Sequence, residues 1–407
     1  MRRVVVTGLG AVTPVGNGVE AMWESLAAGR RGIGKITRFD ASGHKATLAA
    51  EVKDFDPLDC MDKGDARRSD LFTQYALASA CQAMRDSGLD GKIEPERLGV
   101  YYGSGIGGME TISEEHLKLF GGGPRKVSPF FIPMMISNIA AGSIAIRFHA
   151  KASCLSVTTA CSTGANAIGE AYRAIRHGYA DAIIAGGSEA AITPIGVAGF
   201  TNMTAMSISA DPEAAILPFD KRRNGFVMGD GAGALVLEEY ERAAARDAVI
   251  YAEISGYGST CDAHHITAPD PDAECPARAM AIAFEDSGAR PGAVYVNAHG
   301  TGTQLNDVTE TLAIKKAFGS RLSDVIVSST KSMTGHMLGA AGAVEAVISI
   351  LALRSGIIPP TAGLYEPDGK CDLDYTPVTA RRAEIASSLS MSMGFGGHNA
   401  CLCFTKV

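Results

Sequence analysis

The chain has no Cys-x-x-Cys pair, no excess of basic charge and no long uninterrupted apolar run. Each absence removes a class of function. Nine cysteines, an odd number without close C-x-x-C spacing, fit neither a disulfide framework nor a structural zinc site, and a reducing compartment is the simpler reading. A net charge of -7 argues against a nucleic-acid-binding domain, which is normally basic. No segment reaches the ~18 consecutive apolar residues of a membrane span. The basic start Met1-Arg-Arg-Val-Val-Val-Thr-Gly-Leu-Gly10 breaks at Gly8 with no cleavage region after it. The expectation is a soluble cytoplasmic protein with no membrane or nucleic-acid partner.

What is present is a large apolar body. At 407 residues the chain exceeds what one core usually serves, and 46% hydrophobic against 20% charged residues fits a compact enzyme of two cores or two layered halves. Short β-branched runs at 4–7, 97–102, 182–185, 233–237, 294–297 and 325–328 alternate with helical periodicity at 70–87, 165–177, 275–287, 307–318 and 340–355, which is an α/β pattern. The chain also looks doubled. Val157-Thr-Thr-Ala-Cys-Ser-Thr-Gly164 returns as Ser328-Ser-Thr-Lys-Ser-Met-Thr-Gly335, a separation of 171 that sets Cys161 against Ser332. Val6-Thr-Gly-Leu-Gly10 and Ile254-Ser-Gly-Tyr-Gly258 are a second pair, so a boundary near 245–250 divides halves 1–248 and 249–407. Residues 188–226 lose periodicity and read as a long ordered excursion that serves an interface or a site.

Cys161 lies where an apolar strand, 155–159, meets an alanine-rich helix. That junction resembles a nucleophile elbow, in which a helix N-terminus lowers the thiol pKa. Cys401 and Cys403, alternating on the last strand, read as packing. His299 projects from a strand end among glycines, and His336 follows Gly335 at the start of a helix. Two histidines at separate strand ends point to proton or hydrogen-bond chemistry. Adjacent His264 and His265 in a loop point apart, so no metal site is expected. Lys331 is a cation in an apolar junction, with Asp307 or Glu345 as its partner. Gly103-Ser-Gly-Ile-Gly-Gly108 has the wrong spacing for a dinucleotide loop.

Thr159-Ala-Cys-Ser162, Phe219-Asp-Lys-Arg-Arg-Asn-Gly-Phe-Val-Met-Gly-Asp-Gly-Ala-Gly233, Asn297-Ala-His-Gly-Thr-Gly-Thr303, Lys331-Ser-Met-Thr-Gly-His-Met-Leu-Gly-Ala-Ala-Gly342 and Gly394-Phe-Gly-Gly397 together resemble the signatures of the β-ketoacyl-[acyl-carrier-protein] synthases, most of all the synthase II type. The resemblance implies an α/β thiolase fold, five-layered αβαβα from two duplicated halves. It implies decarboxylative Claisen condensation with malonyl-acyl carrier protein in fatty acid elongation, without a cofactor, the substrates riding on the phosphopantetheine of acyl carrier protein. By the same resemblance Cys161 accepts the acyl group, and His299 and His336 stabilise the enolate. Lys331 with Glu345 and Asp307 forms a supporting polar cluster, and Thr301 and Thr303 bind the pantetheine arm. Backbone amides of Cys161 and Phe395 make an oxyanion hole, Phe395 being also a gate. Ile106 and Phe131 match acyl-pocket positions, Phe131 from a partner subunit, with ordinary core the alternative.

Lys63, Arg67, Arg68, Arg125 and Lys126 form either a basic patch for the acidic carrier protein or a solvated charged face. The resemblance implies a homodimer; the alternative is the ketosynthase subunit of a type II polyketide or polyene system, paired with a chain-length partner lacking the cysteine. The chain departs from the synthase II pattern at Met391, Met393 and His398, where asparagine, phenylalanine and threonine are usual. That asparagine helps hold a monovalent cation in some members, which puts the cation in doubt here. Residues 202–207 lack an arginine that many relatives use against carrier protein.

Overall fold

The computed structural model describes residues 1–288 and 290–407. Ten strands carry the architecture: β1 (Val4–Thr13), β2 (Leu98–Gly103), β3 (Cys154–Leu155), β4 (Ala182–Glu189), β5 (Gly231–Glu239), β6 (Ala252–Cys261), β7 (Ala293–Asn297), β8 (Val325–Ser328), β9 (Ile385–Gly394) and β10 (His398–Thr405). The first five are ordered β3-β2-β4-β5-β1 and the second five β8-β7-β9-β10-β6. Within each set the two outermost pairings next to the edge strand are parallel and the other two antiparallel. The same topology is therefore written twice, joined where Val5 and Val6 of β1 pair with Glu253 and Ala252 of β6. β1, β2 and β4 are buried along their whole length, which is why they read as continuous apolar runs and not as alternation.

Six helices complete the layers: α1 (Leu71–Ser87), α2 (Ile139–Arg147), α3 (Thr163–Arg176), α4 (Glu274–Asp286), α5 (Gln304–Phe318) and α6 (Ala341–Ser355). α1 and α2 cover the outer face of the first sheet half, and α4 with α5 covers that of the second. α3 and α6 lie between the sheet halves and share one apolar core with both. The layers run αβαβα, as expected. The window Leu338–Ser355 is long and apolar enough on average to cross a membrane, although Glu345, Ser349 and Arg354 interrupt it, and 83% of it is buried inside the fold. It is hydrophobic all round because it is a central helix.

Close approaches explain the glycine repeat. A Cβ on Gly8 would stand 2.1 Å from the Ala83 carbonyl oxygen of α1, and one on Gly256 would stand 1.9 Å from that of Ala283 in α4. Only glycine lets helix backbone rest on strand backbone at these two equivalent places.

The other repeat needs correction. α3 and α6 begin at Thr163 and Ala341, 178 positions apart and not 171. Each follows a 3-10 turn that opens on a left-handed residue, Ala160 (φ 50°) or Leu338 (φ 46°). A Cβ on Gly164 would meet the Ala343 nitrogen at 2.7 Å, and one on Gly342 would meet the Ala165 nitrogen at 2.7 Å. The two helices thus cross about a pseudo-two-fold axis, and the counterpart of Cys161 is Gly339, not Ser332. The mismatch arises because the second connection, residues 329–340, holds an extra helical turn, Lys331–Thr334, that residues 156–162 lack.

Two further expectations change. The strand before Cys161 pairs only over Cys154–Leu155, and residues 156–159 are irregular. The stretch read as irregular begins inside β4 and contains a helix, Pro194–Asn202. Cys401 and Cys403 are buried on β10, as read.

Candidate active site

Cys161 occupies the 3-10 turn at the N-terminus of α3 and is 7% exposed. It opens on a cavity of about 410 Å³ lined also by His299, His336, Thr301, Thr303, Phe395 and Met393. The tertiary fold therefore brings the cysteine of one half to the histidines of the other.

His299 sits just past β7, on backbone held by a residue that the sequence reading missed. Glu310, on α5 and fully buried, accepts from the His299 nitrogen at 2.6 Å and the Gly300 nitrogen at 2.7 Å, one to each carboxylate oxygen. His336 is not at a helix start. Its backbone bridges to residues 227–229, donating to the Val227 oxygen at 2.7 Å and accepting from the Gly229 nitrogen at 2.9 Å. The 219–233 motif thus acts as a brace for this histidine. The two imidazole rings stand 5.2 Å apart and nearly perpendicular, at 87°. Nδ1 of each is buried without a hydrogen-bond partner. Burial, helped by the nearby Lys331 charge, holds both imidazoles well below 6.5, so both are neutral at physiological pH.

Lys331 is fully buried and pairs with Glu345, Nζ to Oε1 at 2.5 Å. Burial lifts the Glu345 carboxyl to about 7 against the pull of that ammonium. Asp307 does not join them. It accepts from the Phe219 nitrogen at 2.7 Å and the Gly302 nitrogen at 3.2 Å and lies 3.7 Å from Arg223, so it shapes the loop that carries Thr301 and Thr303. A helix N-terminus presents its first-turn side chains to the preceding loop, which is why Asp307 turns there. The hydroxyls of Thr301 and Thr303 are 3.0 Å apart on the cavity wall.

The expected low pKa of Cys161 is also overturned. Burial pushes the thiol up to about 12, outweighing the Lys331 charge and a backbone hydrogen bond from Phe395, both of which pull it down. Phe395 is half-buried, tilted against Phe200 at 6.4 Å, and its backbone faces the sulfur. A second missed carboxylate, Glu189 at the end of β4, lies close enough to act on the thiol electrostatically.

Ile106 and Phe131 do not line this cavity. Ile106 packs beside the apolar cluster that contains Cys161, and Phe131 is half-buried at the start of the short helix Phe131–Met135. Lys63, Arg67, Arg68, Arg125 and Lys126 are exposed and make no ion pair among the described residues, and Arg68 lies 5.2 Å over the Phe130 ring. That contact joins the 63–68 segment to the start of the helix that follows Lys126. Met391 is buried in the outer core of the second half, Met393 lines the cavity, and the His398 carbonyl accepts from Ser162 Oγ at 2.8 Å. His264 and His265 are exposed in a loop, where His265 Nδ1 accepts from backbone nitrogens of Thr267 and Ala268.

Known proteins match this arrangement over the whole chain. Residues 1–243 match the family model "Beta-ketoacyl synthase, N-terminal domain" and residues 251–365 the model "Beta-ketoacyl synthase, C-terminal domain". A 3-oxoacyl-[acyl-carrier-protein] synthase 2 of Synechocystis is 50% identical over all of this chain and 98% of its own length. One of Coxiella burnetii is 51% identical over all of this chain and 99% of its own. Among solved structures, the ketosynthase of a type II polyketide synthase, in complex with its acyl-carrier protein, is 34% identical and superimposes with a TM-score of 0.92, covering 100% of this chain and 99% of that one. With its five layers, duplicated topology and a cysteine facing two neutral histidines, the chain belongs to the beta-ketoacyl synthase family, an acyltransferase class with the thiolase fold.

Proposed function

We propose that this enzyme elongates an acyl chain by decarboxylative condensation with malonyl-acyl carrier protein, giving 3-oxoacyl-acyl carrier protein in fatty acid biosynthesis. The observation that carries the reading is the meeting of Cys161, at a helix N-terminus, with two perpendicular neutral imidazoles in one cavity. In the first step the Cys161 sulfur attacks the thioester carbonyl of an acyl group carried on phosphopantetheine. The oxyanion is met by the backbone N–H groups of Cys161 and Phe395. The thiol proton leaves through a neutral imidazole and ends on the departing pantetheine sulfur.

In the second step the malonyl carbon–carboxylate bond breaks, carbon dioxide departs, and the electron pair becomes an enolate. His299 and His336 donate N–H hydrogen bonds to its oxygen; protonated, they would protonate the carbanion, which is why burial that keeps them neutral serves the chemistry. The carbanion attacks the acyl thioester, and Cys161 leaves as thiolate and recovers a proton from solvent. A thiol serves here because it is both a soft nucleophile and a good leaving group. Thr301 and Thr303 hold the pantetheine arm, and Lys331 with Glu345 sets the field at both histidines.

The exposed cations at 63, 67, 68, 125 and 126 dock the acidic carrier protein. A second copy covers the exposed edge of β3 and completes the acyl pocket with Phe131. The division between residues 1–248 and 249–407 then separates acyl attachment from enolate handling. The second reading, a polyketide ketosynthase subunit with a chain-length partner, is favoured by Met393 on the cavity wall and by the polyketide neighbour. Intact-mass measurement tests the leading reading: Cys161→Ala loses the acyl adduct that the wild type forms with acyl-acyl carrier protein. An undiminished adduct refutes the nucleophile. Activity of the chain alone, as a homodimer, refutes an obligate chain-length partner.

A further inference from the structure

Glu189 is fully buried at the C-terminal end of β4 and makes no ion pair among the described residues. Its carboxylate is satisfied by donors from two distant segments. Oε1 accepts from Ser104 Oγ at 2.8 Å and the Ile106 nitrogen at 3.3 Å, and Oε2 accepts from the Gly105 nitrogen at 2.9 Å and the Gly339 nitrogen at 3.0 Å. The first segment is the loop after β2 that carries Ile106. The second is the turn between His336 and α6.

Symmetry explains the second contact. Gly339 is the pseudo-two-fold mate of Cys161, each the middle residue of the 3-10 turn before a central helix. The Gly339 N–H is therefore the counterpart of the Cys161 N–H. Where the first half leaves that amide for a substrate oxygen, the second half fills the place with a carboxylate. Space is tight on both sides: a Cβ on Gly105 or on Gly339 would stand 2.7 Å from Glu189 Oε2. Both segments are glycine where the carboxylate bridges them.

We infer that Glu189 is a positioning residue, tying the Ile106 loop to the turn behind His336 so that acyl pocket and enolate-handling histidine keep a fixed spacing about Cys161. The inference rests on the condensation reading proposed above. Ile106 packs on the cluster that contains both Cys161 and Leu338, so a shift of its loop is passed through that packing to the surroundings of the acyl-carrying sulfur. Positioning of this kind is sensitive to small displacements.

The test is Glu189→Gln in the full-length chain, with Cys161 acylation followed by intact mass for short and long acyl-acyl carrier protein primers. Glutamine offers one acceptor oxygen, so an amide NH2 faces either the Ser104 and Ile106 donors or the bridging Gly105 and Gly339 donors, and in both cases the hold on the Ile106 loop weakens. The expected result is a change in the ratio of kcat/KM for long over short primers of about tenfold or more, carried in KM. A ratio within about twofold of wild type, or an equal loss for every primer, overturns the inference, since a merely structural role lowers all primers together. Should Glu189→Gln not fold, Ser104→Ala removes one donor and leaves the carboxylate, and a ratio shift of about threefold or more is expected; an unchanged ratio again overturns it. Wild-type enzyme that forms no acyl-Cys161 refutes the condensation reading instead, so the two failures are distinguishable.

Discussion

Replacing Glu310 by glutamine isolates the support beneath one histidine. The carboxylate accepts two backbone N–H groups, at 2.6 and 2.7 Å, one on each oxygen, and glutamine keeps only one acceptor. A hydrogen bond to a charged group contributes about 1.5–3 kcal/mol, and the abandoned donor is fully buried. If that loss falls on the geometry of His299 in the transition state, enolate formation slows by about 10- to 100-fold. Acylation of Cys161, which does not depend on the His299 backbone, stays within about threefold. Carbon dioxide release from malonyl-acyl carrier protein and intact-mass acylation separate the two steps. Burial raises the Glu310 carboxyl to about 7 from 4.5, so protonation removes one acceptor from the wild type as well. Decarboxylation is expected to fall as pH drops through about 7, a limb that Glu310→Gln lacks. Stability moves the other way: a carboxyl raised on folding contributes fully below 4.5, and that contribution is lost as pH rises through about 7. Undiminished carbon dioxide release by Glu310→Gln at pH above 7 refutes the reasoning.

Three further outcomes follow from buried titratable groups. Because burial holds the Cys161 thiol near about 12, alkylation by iodoacetamide should accelerate roughly tenfold per pH unit between about 7 and 9, without a plateau; a plateau below about pH 8, read by mass spectrometry, contradicts that environment. Lys331→Met strands Glu345 without its cation and should cost about 3–5 kcal/mol in urea unfolding, while Lys331→Met with Glu345→Leu should recover most of it. The same single change should raise the imidazole pKa of His299 and His336, seen by NMR titration, because the ammonium now depresses both.

The sequence disclosed the local and the periodic. Strands buried on both faces announce themselves as β-branched runs, and Gly8 and Gly256 betray the duplicated contact of strand on helix because no other residue fits it. Chemistry-bearing residues in the connections that follow strands, Cys161, His299 and His336, were legible because their types are unusual amid alanine and glycine. Register was not: similarity at 171 positions is chemical likeness of two connections, whereas 178 is set by which turn precedes each central helix. Nor could the sequence say that Asp307 serves a loop through Phe219 and Gly302 while Glu345 takes Lys331, since both choices place a carboxylate near a cation. Glu189 and Glu310 drew no notice because a lone glutamate on a strand or helix is ordinary until the fold buries it among backbone donors. The direction of the Cys161 shift likewise waited on tertiary structure. A helix N-terminus is visible in sequence and favours the thiolate, but the loss of water that outweighs it exists only once the two halves close over the sulfur.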